Sequence, residues 1–200
     1  MVINWYGEGC FKISSGDTVL LTDPFESSTG LTPPRLKPHL AILTRSSYPP
    51  AYEHAEYPLI VGPGEYAIAG IEASGWMLSP TNPLHTAYRV SFEDLTLGLL
   101  GHLSQMPEAD IIEHLGGVDL LVVPAGGAPF IGAEPAATLI KQINPRIVIA
   151  SFIHAPGLKR KTTDGSTLFK ELGQKVTPQE KLVVKKKDLP QTTQVVALTL

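Results

Sequence analysis

Short apolar segments, separated by turns that carry glycine or proline, dominate the first half of the chain. Residues 2–6, 10–14 and 18–22 read as strands of this kind. Residues 40–44 follow as a buried strand, then 59–61 before the turn Gly62-Pro63-Gly64. Residues 66–73 alternate as one half-buried strand should. Residues 87–92 and 95–100 flank Glu93-Asp94, the expected turn of a hairpin. The second half changes period. Residues 107–115 carry apolar side chains at helical spacing and stop at Gly116-Gly117. Residues 120–123 form an apolar strand, and 134–143 a second helix closed by Asn144-Pro145. Residues 147–150 are another buried strand, 166–172 a short helix, and 181–185 and 194–200 the closing strands. Strands first and then alternating helices and strands predict two packed sheets with helices outside.

Composition narrows the picture. A chain of 200 residues, 43% hydrophobic and 18% charged, suits one folded domain spanning residues 1–200. A net charge of −3 offers no field for nucleic acid or an anionic membrane, so neither is expected as a partner. With Cys10 as the single cysteine there is no internal disulfide. No signal-like segment opens the chain and no apolar run has transmembrane length, so a cytoplasmic protein is expected.

The motifs "WYGEGCFKI", "LLTDPF", "VGPGEY", "GGVDLLVVPAGG", "INPRIVIA" and "FKELG" occur in that order. Their order resembles the metallo-β-lactamase-fold hydrolases, in particular the small branch similar to L-ascorbate-6-phosphate lactonase. The resemblance implies a four-layer αββα sandwich of two mixed sheets, with its site at one rim. It also implies one or two metal ions held by a His-x-His-x-Asp-His motif.

Here the sequence departs from the pattern. In register, the first His falls on Arg45, the second on Ser47, the Asp on Pro49 and the third His on Pro50. Neither arginine nor proline offers a lone pair to a metal. A middle His falls near Pro80, the bridging Asp on His102 and the late His on Phe152. The "Gly-His-x-Cys-Phe" stretch becomes Gly7-Glu8-Gly9-Cys10-Phe11. The resemblance therefore implies a vestigial site made of Glu8, Asp23, Arg45, Ser47, Pro49, Pro50, Pro80, His102, Phe152 and His154, with no metal, no other cofactor and no catalytic residue.

Single residues carry weaker signals. His102 alone cannot complete a ligand set and is read as structural or solvent-facing. His154 lies near the late-His position and, before Ala155-Pro156-Gly157, reads as exposed. Asp23 reads as a turn residue before Pro24. Cys10 lacks a base and reads as a small buried residue. The lysines 185–187 read as a solvated strand edge. Arg45 is expected to pair with Glu8, or second with Asp23, the alternative being an arginine that points into solvent, and the rim is expected to be partly filled around Phe152. The expected function is binding or assembly: with a second copy, with an intact paralogue of the same fold, or with a small molecule. The alternative is a metal-dependent hydrolase, lactonase or phosphodiesterase-like, with Glu8, Asp23, His102 and His154 around a rearranged site.

Overall fold

The structure, a computed structural model, describes residues 1–45, 55–78 and 85–200. Its strands are β1 (Val2–Gly7), β2 (Cys10–Ser15), β3 (Thr18–Thr22), β4 (Leu40–Leu43), β5 (Leu59–Val61), β6 (Gly64–Ile68) and β7 (Ile71–Met77). They continue with β8 (Thr86–Phe92), β9 (Leu95–Leu99), β10 (Leu120–Pro124), β11 (Ile147–Ser151), β12 (Leu182–Val183) and β13 (Gln194–Val196). Among the described residues these form a six-stranded sheet, ordered β12-β1-β2-β3-β4-β5, and a seven-stranded sheet, ordered β13-β11-β10-β9-β8-β7-β6. Both are mixed. β1 to β3 and β6 to β9 pair antiparallel, whereas β3-β4-β5 and β9-β10-β11-β13 are parallel.

The parallel strands are the apolar runs. Every residue of "LAIL" in β4, "LLVVP" in β10 and "IVIAS" in β11 is buried. A strand covered on both faces needs apolar side chains at every position. β1, by contrast, buries alternate residues, as a strand with one covered face does.

All three described α-helices come from the second half: α1 (Ala109–His114), α2 (Ala133–Ile143) and α3 (Ser166–Glu171). α2 buries Ala136, Ala137, Leu139, Ile140 and Ile143, one stripe of a helical period. It ends on Asn144 in the left-handed region, φ 54°, followed by Pro145. The carboxyl end of α1 is fixed to the second sheet by Arg89, whose guanidinium donates to the carbonyls of His114 (3.0 Å) and Gly116 (3.2 Å). A cation there also meets the negative end of the helix dipole. No helix among the described residues is long and apolar enough to cross a membrane.

The sandwich of two mixed sheets is the architecture expected, and three expected elements change. Residues 66–73 are not one strand: Ala69 and Gly70, φ 53° and 76°, turn the chain between β6 and β7. The closing strands shrink to Leu182–Val183 and Gln194–Val196. Lys186 is not merely a solvated edge, because its ammonium donates to both oxygens of Asp119 at 2.7 Å.

Hydrogen bonds across the gap between the sheets fix one rim. The Thr86 amide donates to the Thr44 carbonyl (2.9 Å), and the Phe152 amide donates to the Glu8 carbonyl (3.0 Å). These bonds set the carboxyl end of β4 against the start of β8, and the carboxyl end of β11 against the turn between β1 and β2.

Candidate functional site: a rim cavity between the two sheets

The chain leaves β3 at Asp23, and the next strand, β4, delivers Thr44 beside it. Asp23 is buried and spends both carboxyl oxygens on Thr44: the Thr44 amide donates to Oδ1 and its hydroxyl pairs with Oδ2, each at 2.7 Å. Thr44 Oγ1 also lies 2.8 Å from Nδ1 of His102, on the segment after β9. A continuous Asp23–Thr44–His102 chain results. Gly101 makes it possible: a Cβ there would overlap Thr44 Oγ1 and come 2.6 Å from Asp23 Oδ2.

A second group closes the rim. Glu8 faces Arg160, with Nη2 to Oε2 at 2.6 Å and Nε to Oε1 at 3.4 Å, the two-bonded geometry that a planar guanidinium favours. The pair is largely enclosed, with side chains 13% and 26% exposed. Arg160 also donates to the Phe152 carbonyl (3.3 Å) and lies over the rings of Phe130 (4.8 Å) and Phe152 (5.5 Å). Phe152 packs on Phe130 (4.3 Å) and edge-on to His102 (5.0 Å). Gly9 lets that ring in, since a Cβ there would sit 2.7 Å from Phe152.

Glu8, Asp23, His102, Phe130, Phe152 and Arg160 line a cavity of about 640 Å³, together with Phe25, Leu43, Arg45, His85 and Pro129. That is the size of a small-molecule pocket. Glu8, Asp23 and Phe152 adopt φ of 51°, 35° and 55°, the left-handed region that non-glycine residues avoid. Such strain persists only where the surroundings enforce it, and here it gathers at the rim.

Burial pushes the Asp23 carboxyl up to about 7, against the pull of its two Thr44 bonds. Burial, then the Arg45 guanidinium, lowers His102 to about 4. His85 is lowered too, by burial first and then by His102 and Arg45. At neutral pH both imidazoles are uncharged and Asp23 is poised between its two forms.

The expected site residues separate into three groups. Glu8, Asp23, Arg45, His102 and Phe152 all line the cavity. Ser47, Pro49, Pro50 and Pro80 lie outside the described residues. His154 does not reach the cavity: it is exposed, and its amide donates to the Thr163 carbonyl (2.8 Å). Other expectations are corrected. The partner of Glu8 is Arg160, not Arg45. Asp23 is not a local turn residue, because its carboxyl reaches across to Thr44 on the neighbouring strand. His102 is half-buried rather than solvent-facing, and it lines the cavity at the end of a hydrogen-bonded chain. Phe152 is buried onto its neighbours as expected, yet an open cavity remains beside it. Cys10 is buried with its thiol raised by burial and then by Asp23, which leaves it unreactive. Sequence reading missed Arg160, Thr44, His85 and Phe130. None carries a local motif, because each belongs to the site only through contacts made by folding.

A sequence model of the family described as "Beta-lactamase superfamily domain" matches residues 2–151. The chain belongs to that family. Among solved structures, a Thermotoga maritima protein assigned by its name to the Zn-dependent hydrolases of the metallo-β-lactamase superfamily is 21% identical, with a TM-score of 0.83 over 99% of this chain and 98% of that one. The metallo-β-lactamase-fold protein YhfI from Bacillus subtilis is 12% identical, with a TM-score of 0.63 over 98% and 95%. An isothiocyanate hydrolase from Delia radicum gut bacteria is 11% identical, with a TM-score of 0.59 over 98% and 95%. At these identities the likeness is one of fold. No curated protein matches the sequence.

A metal of the family does not fit the donors that the described residues supply. Among them no group of three or more His, Cys, Asp or Glu could hold an ion. Both oxygens of Asp23 and both of Glu8 are engaged by protein donors, and Nδ1 of His102 faces a hydroxyl. Two guanidinium groups, Arg45 and Arg160, line the same wall.

Proposed function

We propose that this family member works by binding, taking a small molecule in its rim cavity without a hydrolytic metal centre. The observation that carries this reading is the engagement of the carboxylates. Glu8 and Asp23, which a metal would need, spend their oxygens on Arg160 and Thr44, while the cavity beside them stays open. The branch similar to L-ascorbate-6-phosphate lactonase remains the best guide to the scaffold, on motif order. Assembly with a second copy or with an intact paralogue, in the cytoplasm, is the companion proposal. It rests on analogy with other scaffolds that outlive their chemistry.

A second reading, a metal-dependent hydrolase with a rearranged site, draws its support from the names of the structural relatives. It requires Glu8 to leave Arg160 and His154 to enter a cavity that it does not line. Elemental analysis of protein made in metal-supplemented medium separates the two. Well below one equivalent of Zn, Mn or Fe per chain is expected. One equivalent held through dialysis and lost in His102→Gln favours the hydrolase. Light scattering at micromolar concentration tests self-assembly, and a strict monomer removes that part.

A further inference from the structure

The cavity wall has an asymmetry of donors and acceptors. Two of its carboxylates are used internally: Glu8 by Arg160 and Asp23 by Thr44. Its cations are not used to the same extent. Arg45 is exposed at the wall, and Nη1 of Arg160, although enclosed, has no hydrogen-bond partner among the described residues. A ligand that satisfies this wall must bring acceptors. Most of the remaining lining, including Phe25, Leu43, Pro129, Phe130 and Phe152, is apolar and largely aromatic, and the hydroxyls of Ser28, Thr29 and Ser104 can donate as well as accept.

The Asp23–Thr44–His102 chain can run in two directions. With Asp23 ionised, the Thr44 hydroxyl donates to Oδ2 and accepts from Nδ1–H of His102, so Nε2 carries a lone pair. With Asp23 protonated, its O–H donates to Thr44, whose hydroxyl donates to Nδ1, and Nε2 carries the proton. The distances of 2.7 and 2.8 Å permit both. Only the second polarity turns Nε2 of the histidine into a donor.

We propose that the cavity binds an organic oxyanion on a flat apolar body and takes up one proton with it, stored on Asp23 and presented as His102 Nε2–H. Arg45 supplies the charge for the oxyanion, and the apolar part of the lining, Leu43, Pro129 and Phe130 among it, receives the body. The proton comes from solvent and no bond other than O–H and N–H changes, so charge balances as one anion and one proton enter together. The titratable and charged groups around Asp23 are Cys10, Glu8, Arg45, His85, Tyr88, His102 and Arg160. Burial raises the Cys10 thiol and the Tyr88 phenol, so both hold their protons near neutrality, and the two histidines are neutral there. Asp23, raised to about 7, is the group placed to accept the proton.

This inference rests on the binding reading, and the experiment separates the two. Isothermal titration at pH 8 uses benzoate, phenyl phosphate and neutral benzamide as probes, each in two buffers of different ionisation enthalpy. Saturable binding of benzoate or phenyl phosphate is expected, with benzamide at least about tenfold weaker. The better anion identifies carboxylate or phosphate as the group recognised. Uptake should approach one proton per anion. Affinity should rise about tenfold from pH 8 to pH 6, as the fraction of protonated Asp23 grows. Asp23→Asn should bind the same anion with no proton uptake and a flat pH profile, and Arg45→Gln should lose about tenfold or more. Equal binding of benzamide, no binding of either anion, or proton uptake persisting in Asp23→Asn overturns the inference and leaves the binding reading intact. A stoichiometric metal that must be removed before any probe binds overturns the reading itself.

Discussion

Two buried aspartates, Asp23 and Asp119, have nearly the same neighbours and opposite behaviour. Asp23 follows β3; Asp119 precedes β10. Each accepts from the amide of a threonine and pairs with that threonine's hydroxyl: Thr44 at 2.7 and 2.7 Å, Thr96 at 2.8 and 3.0 Å. The difference is one cation. Lys186 sits 2.7 Å from both oxygens of Asp119, whereas the next group beyond Thr44 is a neutral His102. Burial raises both carboxyls. At Asp119 the Lys186 and Thr96 bonds outweigh it and hold the group below its ordinary value, while at Asp23 burial wins and the group rises to about 7. Two good hydrogen bonds thus do not settle a buried carboxylate; the countercharge does. The Asp119 end is built for stability, and the Asp23 rim keeps an uncompensated proton site next to a cavity.

The largest expected effect concerns pH. A carboxyl raised from 3.8 to about 7 makes stability fall as pH rises from about 4 to about 7, because the folded state then binds more protons than the unfolded one. A histidine lowered from 6.5 to about 4 does the reverse over pH 4–6.5. In the intact protein the two nearly cancel, and stability should be almost flat across that window. His102→Gln should unmask a fall of roughly 4 kcal/mol between pH 4 and 8. Asp23→Asn should unmask a rise of roughly 3 kcal/mol between pH 4 and 6.5, to which His85 adds in the same sense. Urea unfolding at several pH values measures both, and parallel profiles for the two variants would break the comparison.

At pH 8 the neutral replacements should diverge. Asp119→Asn removes a compensated charge and should destabilise by about 1–3 kcal/mol. Asp23→Asn removes an uncompensated one and should be neutral or stabilising, because the amide oxygen still accepts from Thr44. Gly101→Ala should lose about 1–3 kcal/mol by driving Thr44 off Asp23, and the Asp23 carboxyl should rise further as it loses those bonds. The smallest effect is that of Lys186→Met. Lys186 is half-exposed, so the loss should be about 1 kcal/mol or less, yet the Asp119 carboxyl should move up toward Asp23. A carboxyl titration by NMR reads that shift.

Much of the fold was legible because its strands announce themselves. "LAIL", "LLVV" and "IVIA" are too apolar for anything but doubly covered strands. The turn at Ala69-Gly70 was hidden because it sits inside an alternating string and swaps faces without a proline or a charged pair. At the rim, the positions at Glu8, Arg45, His102 and Phe152 were found through motif register. Their partners were not. Arg160 lies 152 residues from Glu8, and Thr44 is an unremarkable strand-end residue until Asp23 is set against it. Asp23 itself was misread because Pro24 suggests a local turn, whereas its bonding is tertiary.

The most direct test of the central claim is the carboxyl titration of Asp23 itself, followed by ¹³C NMR with and without one equivalent of Zn²⁺. The account predicts a midpoint near 7 that Zn²⁺ leaves in place, since Thr44 occupies both oxygens. A midpoint at or below the ordinary value of 3.8, or one that collapses when Zn²⁺ is added, would contradict it and return the rim to metal chemistry.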